Sequence, residues 1–198
     1  MKNTDRMNIN ESVGIVIPAY EPDMQTLEQY IIDLESIVNP ETIRIEFDVP
    51  QQANVTRAEE VVDQVNIAER RRGKGAAIMD GLDALETDIL VFTDADGSVP
   101  ADSLTNILDQ VKAEVADISI GSRRHPSSEI LSHQTIIRRL LGDVFAFMAC
   151  GMLPTQCRDY QRGAKAVRAD AWDMIGDHCY EPGFAWDLEF ISVAGSLG

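Results

Sequence analysis

The stretch Ile89–Pro100, ILVFTDADGSVP, runs an apolar strand straight into two aspartates one residue apart and then a glycine. Side chains at i and i+2 of a strand point to the same face, so Asp94 and Asp96 project together where the backbone stays extended. Two carboxylates that close repel, and a hard divalent cation relieves the repulsion. Mg²⁺ or Mn²⁺ suits the geometry, because each keeps several waters and binds substrate phosphate as well. An EF-hand would need further acids about five and twelve positions into its loop, and Val99 and Leu104 do not supply them. Neighbouring acids also occur in turns that bind nothing, and what distinguishes this pair is the chain around it.

Outward from this strand, strands and helices alternate. VGIVIPAY (Val13–Tyr20) is a short buried strand, MQTLEQYIIDLESIV (Met24–Val38) carries apolar residues at helical spacing, and TIRIEFDV (Thr42–Val49) alternates as a second strand. The pattern predicts a helix over Ala58–Val65, a small strand at Asn66–Glu69, a helix over Gly75–Glu86 and then the strand Asp88–Asp96. A helix over Ser103–Glu114, capped by Asp102, leads to a strand within Ala116–Ser122. Strands separated by helices of this length make βαβ units and a mainly parallel sheet, an α/β fold. Ligands of such sheets collect beyond the carboxyl ends of the strands. Ala19, Asp48, Asp94 and Arg123 all fall at those ends.

The 198 residues suffice for one domain with a real core, and 44% of them are hydrophobic. Residues 1–11 read as a flexible tail without the apolar run of a signal peptide, and 12–198 as the folded catalytic domain. A formal net charge of −16 repels nucleic acid and anionic membrane surfaces, so any phosphate site is local. Arginine outnumbers lysine and aspartate outnumbers glutamate, the balance of a salt-adapted, halophile-like surface. Cys150, Cys157 and Cys179 have no metal-ligand or CxxC spacing and read as reduced cytosolic thiols. Leu140–Leu153 is apolar but carries Asp143 and is too short to cross a bilayer; it reads as a core helix, with an interfacial helix as the alternative.

In RRRGKGAAIMDG (Arg70–Gly81) two glycines flank Lys74 just before a helix, which offers backbone N–H groups and an ammonium to a phosphate. It is not a P-loop, which needs GxxxxGK[ST]. GSRR (Gly121–Arg124) ends a later strand, and Arg138 and Arg139 begin an amphipathic helix. Guanidinium forks match phosphate oxygens, although any one arginine equally serves a surface ion pair. DYQRGAKAVRADAW (Asp159–Trp172) puts an acid, a glutamine and a lysine in a polar turn before a strand. FAWDLEF (Phe184–Phe190) sets Asp187 and Glu189 among apolar residues. Carboxylates buried there demand a functional contact or an arginine partner, unless they merely open a helix.

Taken in order, IVIPAY, RGKGAA, FTDADG, IGSR, DYQRGAKAVRADAW and FAWDLEF resemble a metal-dependent nucleotide-sugar glycosyltransferase of the GT-A fold, a Rossmann-like, mainly parallel central sheet flanked by helices. Within that fold the chain most resembles family 2 and its dolichyl-phosphate glucosyltransferase and mannosyltransferase branch, over Val13–Ile191. The resemblance implies inverting transfer of a hexose from a UDP- or GDP-sugar to a polyprenyl (dolichyl) phosphate, with Mg²⁺ or Mn²⁺ as cofactor, at the cytoplasmic face of a membrane. It implies that Pro18, Ala19, Tyr20 and Glu21 form the first nucleotide-facing loop, that Asp48 faces the base, and that Gly73 and Lys74 sit near ribose and diphosphate. It further implies that Asp94, with Ala95, contacts ribose or metal, that Asp96 is the metal ligand, and that Arg123 and Arg138 receive the acceptor phosphate. A hydroxyl acceptor needs a general base instead, and Asp159 and Asp187 are the first candidates.

Two positions depart from the family pattern. PAYEP stands where PAYNE is usual, leaving the donor-contacting acid open between Glu21 and Asp23, and FDVPQQ stands where DDGS is usual, which loosens the base contact. Relatives continue beyond the element holding Asp187 and Glu189, some into membrane helices, so the chain reads as a catalytic segment of a longer protein, with peripheral membrane contact or a missing membrane segment. A nucleotide-sugar binding domain without transferase activity and a sugar-nucleotide pyrophosphorylase are the other readings. The second lacks its glycine-rich loop after Val16.

Overall fold

A computed structural model describes residues 11–121 and 163–197. Among these, strands β1 (Val13–Ala19), β2 (Thr42–Asp48), β3 (Gln64–Ala68), β4 (Ile89–Thr93), β5 (Ile118–Ile120) and β6 (Ala164–Arg168) form one sheet in the order β3-β2-β1-β4-β6-β5. β1, β2, β3 and β4 pair in parallel, whereas β6 runs antiparallel to both β4 and β5. The expected α/β sheet is therefore present, mainly parallel with one reversed strand. Its helices are α1 (Met24–Ile37), α2 (Gln52–Glu59), α3 (Lys74–Asp83), α4 (Ala101–Lys112), α5 (Ala169–Gly176) and α6 (Trp186–Leu197).

Alternation along the strands feeds two cores. Ile15, Ile17, Ile45, Phe47 and Val91 pack with the apolar stripes of α1 and α4, and Val16, Leu90 and Phe92 with those of α3, α5 and α6. Burial on both faces is why these strands read as near-continuous apolar runs. After β1 the chain builds β2 and β3 on one side, then returns past β1 to β4. This reversal opens a crevice beyond the carboxyl ends of β1 and β4, where α/β sheets bind ligands. β6 begins at the same rim, and Gly121 N–H donates to the Ala164 carbonyl at 3.2 Å, so the chain leaves and re-enters the sheet at adjacent points.

Several local expectations move. The strand expected over Asp88–Asp96 ends at Thr93, so Asp94 and Asp96 do not project together from extended backbone: Ala95 and Asp96 lie in a turn, with Asp94 half-buried and Asp96 exposed. The helix expected over Ala58–Val65 lies earlier, at Gln52–Glu59, and Gln64–Ala68 pairs with Arg44–Asp48 instead. Val61 and Val62 pack on the core in the turn between, so tertiary pairing overrides the local helical pattern there. α4 begins at Ala101 with Pro100 as its N-cap, and Asp102 lies inside the first turn, where the positive end of the helix favours an acid. The strand expected within Ala116–Ser122 narrows to Ile118–Ile120. Most of the tail and the expected Leu140–Leu153 helix lie outside the described residues. Among those described, no helix is long and apolar enough to cross a membrane.

Candidate active site

Four elements bring Lys74, Asp94, Lys165 and Asp187 together at the crevice. The end of β4 is fixed from the core, where the Thr93 and Tyr30 hydroxyls share a hydrogen bond of 2.8 Å. Asp94 N–H then donates to the Gly163 carbonyl at 2.9 Å. Position 163 requires glycine, because a Cβ would run into the Asp94 carboxylate. Two residues further along β6, Lys165 points to the same face. Its buried ammonium meets Asp187 Oδ1 in the first turn of α6. Lys74, the first residue of α3, places Nζ 3.0 Å from Asp94 Oδ1 and 3.4 Å from Asp187 Oδ2. Both ammonium groups lie over the Phe92 ring, Lys74 at 5.7 Å and Lys165 at 4.9 Å from its centroid.

Burial works against the ammonium of Lys74, but Asp94 and Asp187 together outweigh it and hold its pKa above the ordinary value. For Lys165 burial wins over the attraction of Asp187 and the shift is downward. Burial also raises the Asp94 carboxyl against the pull of Lys74, with repulsion from Asp96 and Asp187 adding to the rise. Asp96 is exposed, with Oδ1 accepting the Ser98 N–H at 2.9 Å across a turn in which Gly97 takes φ 62°.

A second charge cluster lies around Arg72. Its Nε donates to Asp48 Oδ1 at 2.9 Å, Nη1 to Glu46 Oε2 at 2.9 Å and to Asp80 Oδ2 at 2.7 Å, and Nη2 to the Phe47 carbonyl at 3.3 Å. Glu46 and Asp48 are buried. Asp48 Oδ2 also accepts the N–H groups of Arg72 and Gly73, so the carboxylate expected at the base is engaged by the loop that enters α3. The first turn of α3 is covered as well: Ala76 N–H donates to the Pro182 carbonyl at 3.1 Å. A Cβ at Gly73 would collide with the Pro182 carbonyl, and one at Gly75 with that of Glu181. The glycines around Lys74 thus serve close packing, and the ammonium is what this motif presents at the crevice.

Around the rest of the rim, Ala19 is buried, Pro18 is half-buried, and Tyr20 and Glu21 are exposed. The Arg71 guanidinium stacks 4.0 Å from the Tyr20 ring centroid. Asp23 caps α1 by accepting the Thr26 N–H at 2.8 Å, which leaves Glu21, at φ 47°, as the rim acid of PAYEP. Ala95 packs partly buried against the core. Asp187 and Glu189 both lie in the first turn of α6; Asp187 is buried and partnered by lysines, with no arginine partner among the described residues, and Glu189 accepts the N–H groups of Tyr180 and Glu181 at 2.9 and 2.7 Å. Arg123, Arg138 and Asp159 lie outside the described residues. Among those described, no three His, Cys, Asp or Glu side chains converge on one point as a metal cage. Glu46 and Arg72 escape the sequence reading, and Lys165, expected in a polar turn before a strand, lies buried inside β6; a charge within the apolar strands TIRIEFD and AKAVR is itself a signal that a partner exists.

Known proteins share this organisation. The family model described as Glycosyl transferase family 2 matches residues 59–174. The chain is 26% identical to the dolichyl-phosphate beta-glucosyltransferase of Drosophila melanogaster, over 93% of this chain and 63% of that protein. It is 23% identical to glycosyltransferase AglD of Haloferax volcanii, over 94% of this chain and 31% of that one. It thus spans less than two thirds of the length of these relatives. The structure of glucosyl-3-phosphoglycerate synthase from Mycobacterium tuberculosis with Mn²⁺, UDP and glucosyl-3-phosphoglycerate aligns with a TM-score of 0.62 at 17% identity, covering 91% of this chain and 64% of that one. The architecture this chain has in common with the mycobacterial synthase is the GT-A fold.

Proposed function

Because the chain belongs to glycosyltransferase family 2, we propose that it transfers a hexose from a UDP- or GDP-sugar to a polyprenyl phosphate such as dolichyl phosphate, with inversion and with Mg²⁺ or Mn²⁺. The observation that carries the reading is the lysine–aspartate cluster at the crevice with the exposed Asp96 beside it. The donor set fits such an ion. Asp96 offers a hard, accessible oxygen one residue from Asp94, and ions of this type complete their shell with diphosphate and water instead of a protein cage. The Mn²⁺ and UDP in the mycobacterial synthase support the same assignment. When bound, the ion stabilises charge on the departing nucleoside diphosphate.

Lys74, kept cationic by its two carboxylate neighbours, supplies fixed positive charge at the same place. A phosphate acceptor is already anionic near neutral pH and needs no base to activate it. Asp187 suits that reading, since it is 3% exposed and has an oxygen on each lysine, unlike a carboxylate placed to take a hydroxyl proton. Arg123 and Arg138 hold the acceptor phosphate in line behind the sugar C1, so positioning and charge stabilisation carry the catalysis. A lipid acceptor also brings the domain to a membrane surface, at its cytoplasmic face. The name of the fly relative supports dolichyl phosphate, and the phosphoglycerate chemistry of the mycobacterial synthase makes a small phosphorylated acceptor the natural control.

The test is a donor screen, UDP-glucose and GDP-mannose against a phosphorylated prenol or 3-phosphoglycerate, with Mn²⁺ or Mg²⁺. Labelled glycolipid is the expected product. Asp96→Ala lowers its formation by about a hundredfold or more at unchanged melting temperature, and Arg123→Ala chiefly raises the acceptor KM. Full activity of Asp96→Ala in a chelator sinks the proposal.

A further inference from the structure

Lys165 takes no part in the transfer described above, yet it sits inside β6, 1% exposed and directly across the ladder from Phe92. An ammonium in such a place loses its hydration, and only a close opposite charge offsets the loss. Asp187 provides that charge, and Asp187 has a second cation within reach in Lys74. Lys74 lies nearer to Asp94, at 3.0 Å against 3.4 Å, and Asp94 is the more open of the two, its side chain 30% exposed against 4% for Asp187. Among these four side chains the charges balance, and Asp96 adds a further negative charge beside Asp94. Without Lys165, two carboxylates compete for one ammonium, and the more deeply buried one has the greater need of it. Lys74 is then drawn inward to Asp187, away from Asp94 and the crevice.

We infer that Lys165 is a positioning residue of the donor site: by neutralising Asp187 from within the sheet, it leaves Lys74 directed at Asp94 and at the diphosphate of a bound nucleotide. The inference rests on the nucleotide-sugar reading of the crevice and adds a residue that touches no substrate. It also accounts for Gly163, just before β6, and Lys165, within it, together. Gly163 makes room for the Asp94 carboxylate, and Lys165, on the same strand face, sets the charge that Asp94 meets.

Calorimetric titration of UDP and of GDP with Mn²⁺ tests it. Lys165→Met is expected to weaken binding about tenfold in the wild-type background and to have no further effect on Lys74→Met, because it acts through Lys74. Lys165→Met/Asp187→Asn, which removes both members of the buried pair, is expected to recover affinity to within about threefold of wild type. A role confined to stability lowers the melting temperature without this dependence, so additive losses for Lys165→Met and Lys74→Met overturn the inference, as does unchanged affinity in Lys165→Met. Should Lys165→Met not fold, the double variant decides: affinity near wild type upholds the inference, and a loss equal to that of Lys74→Met overturns it. Wild-type protein that binds neither nucleotide removes the donor-site reading and the inference together, whereas wild-type binding that is indifferent to Lys165 removes the inference alone.

Discussion

Two buried charge clusters stand at the same rim of the sheet and are built from different cations. Around Arg72, a planar fork meets Glu46, Asp48 and Asp80 in fixed directions, with Arg44 and Asn66 also on Glu46. Around Lys74 and Lys165, compact ammonium groups are shared among Asp94 and Asp187, with Asp96 exposed beside them. Guanidinium pre-orders its hydrogen bonds, whereas ammonium is a point charge whose partners can be exchanged. The first arrangement suits a loop that has to stay in place; the second suits the diphosphate site proposed above, whose occupant arrives and leaves. The contrast teaches that burial of charge at a rim does not by itself mark the chemistry. What marks it is like charge left partly open.

The contrast can be broken most sharply at Arg72. Arg72→Met leaves Glu46 and Asp48 short of their shared cation, and a loss of about 3–5 kcal/mol in urea unfolding is expected. A loss within about 0.5 kcal/mol, the range of ordinary surface substitutions, would place this cluster among dispensable ion pairs. Gly75→Ala comes next. Its methyl presses on the Glu181 carbonyl and on Trp186, and destabilisation of about 1–3 kcal/mol should appear as a lower melting temperature. That result would show the lysine cluster to be held in place by backbone packing as well as by charge.

Asp94→Asn sharpens the comparison in the opposite direction. Because the folded-state pKa of Asp94 is raised, its contribution to stability is full while it is protonated, below the usual aspartate value of about 3.9, and is lost as pH rises through the raised value. At neutral pH the ionised side chain therefore lowers stability. Asp94→Asn is expected to leave the urea midpoint at pH 7 unchanged or higher while nucleotide binding is lost, and a lower midpoint would contradict the asymmetry between the clusters. The smallest effect belongs to Cys179, whose thiol burial pushes up to about 12. Peptide mapping after iodoacetamide at pH 8 should find it unmodified in folded protein and modified in urea.

Much of the frame is legible in the sequence because β1, β2 and β4 are buried on both faces and announce themselves as apolar runs ending in polar turns. The rim follows from those ends, which is how Ala19, Asp48 and Asp94 are placed at one edge from the sequence alone. The reversal of β6 is not legible, since pairing between β4 and β6 depends on contacts that local pattern does not encode. Nor are the partners of Asp187, which lie 113 and 22 positions away along the chain. Asp48 illustrates the same limit: its place at the end of β2 is readable, but its engagement with Arg72 requires the loop before α3 to fold back over it.

The hydrogen bond between Gly121 and Ala164 has a consequence for the length of chain between them. Because Gly121 and Ala164 touch, the two ends of the intervening chain are held together by described residues, and each doubling of the length between two such fixed ends costs only about 0.6 kcal/mol in the flexible-chain limit. A change in the length of the chain between these two points is therefore cheap in closure entropy, while the order of the six strands is set by pairings on either side of it.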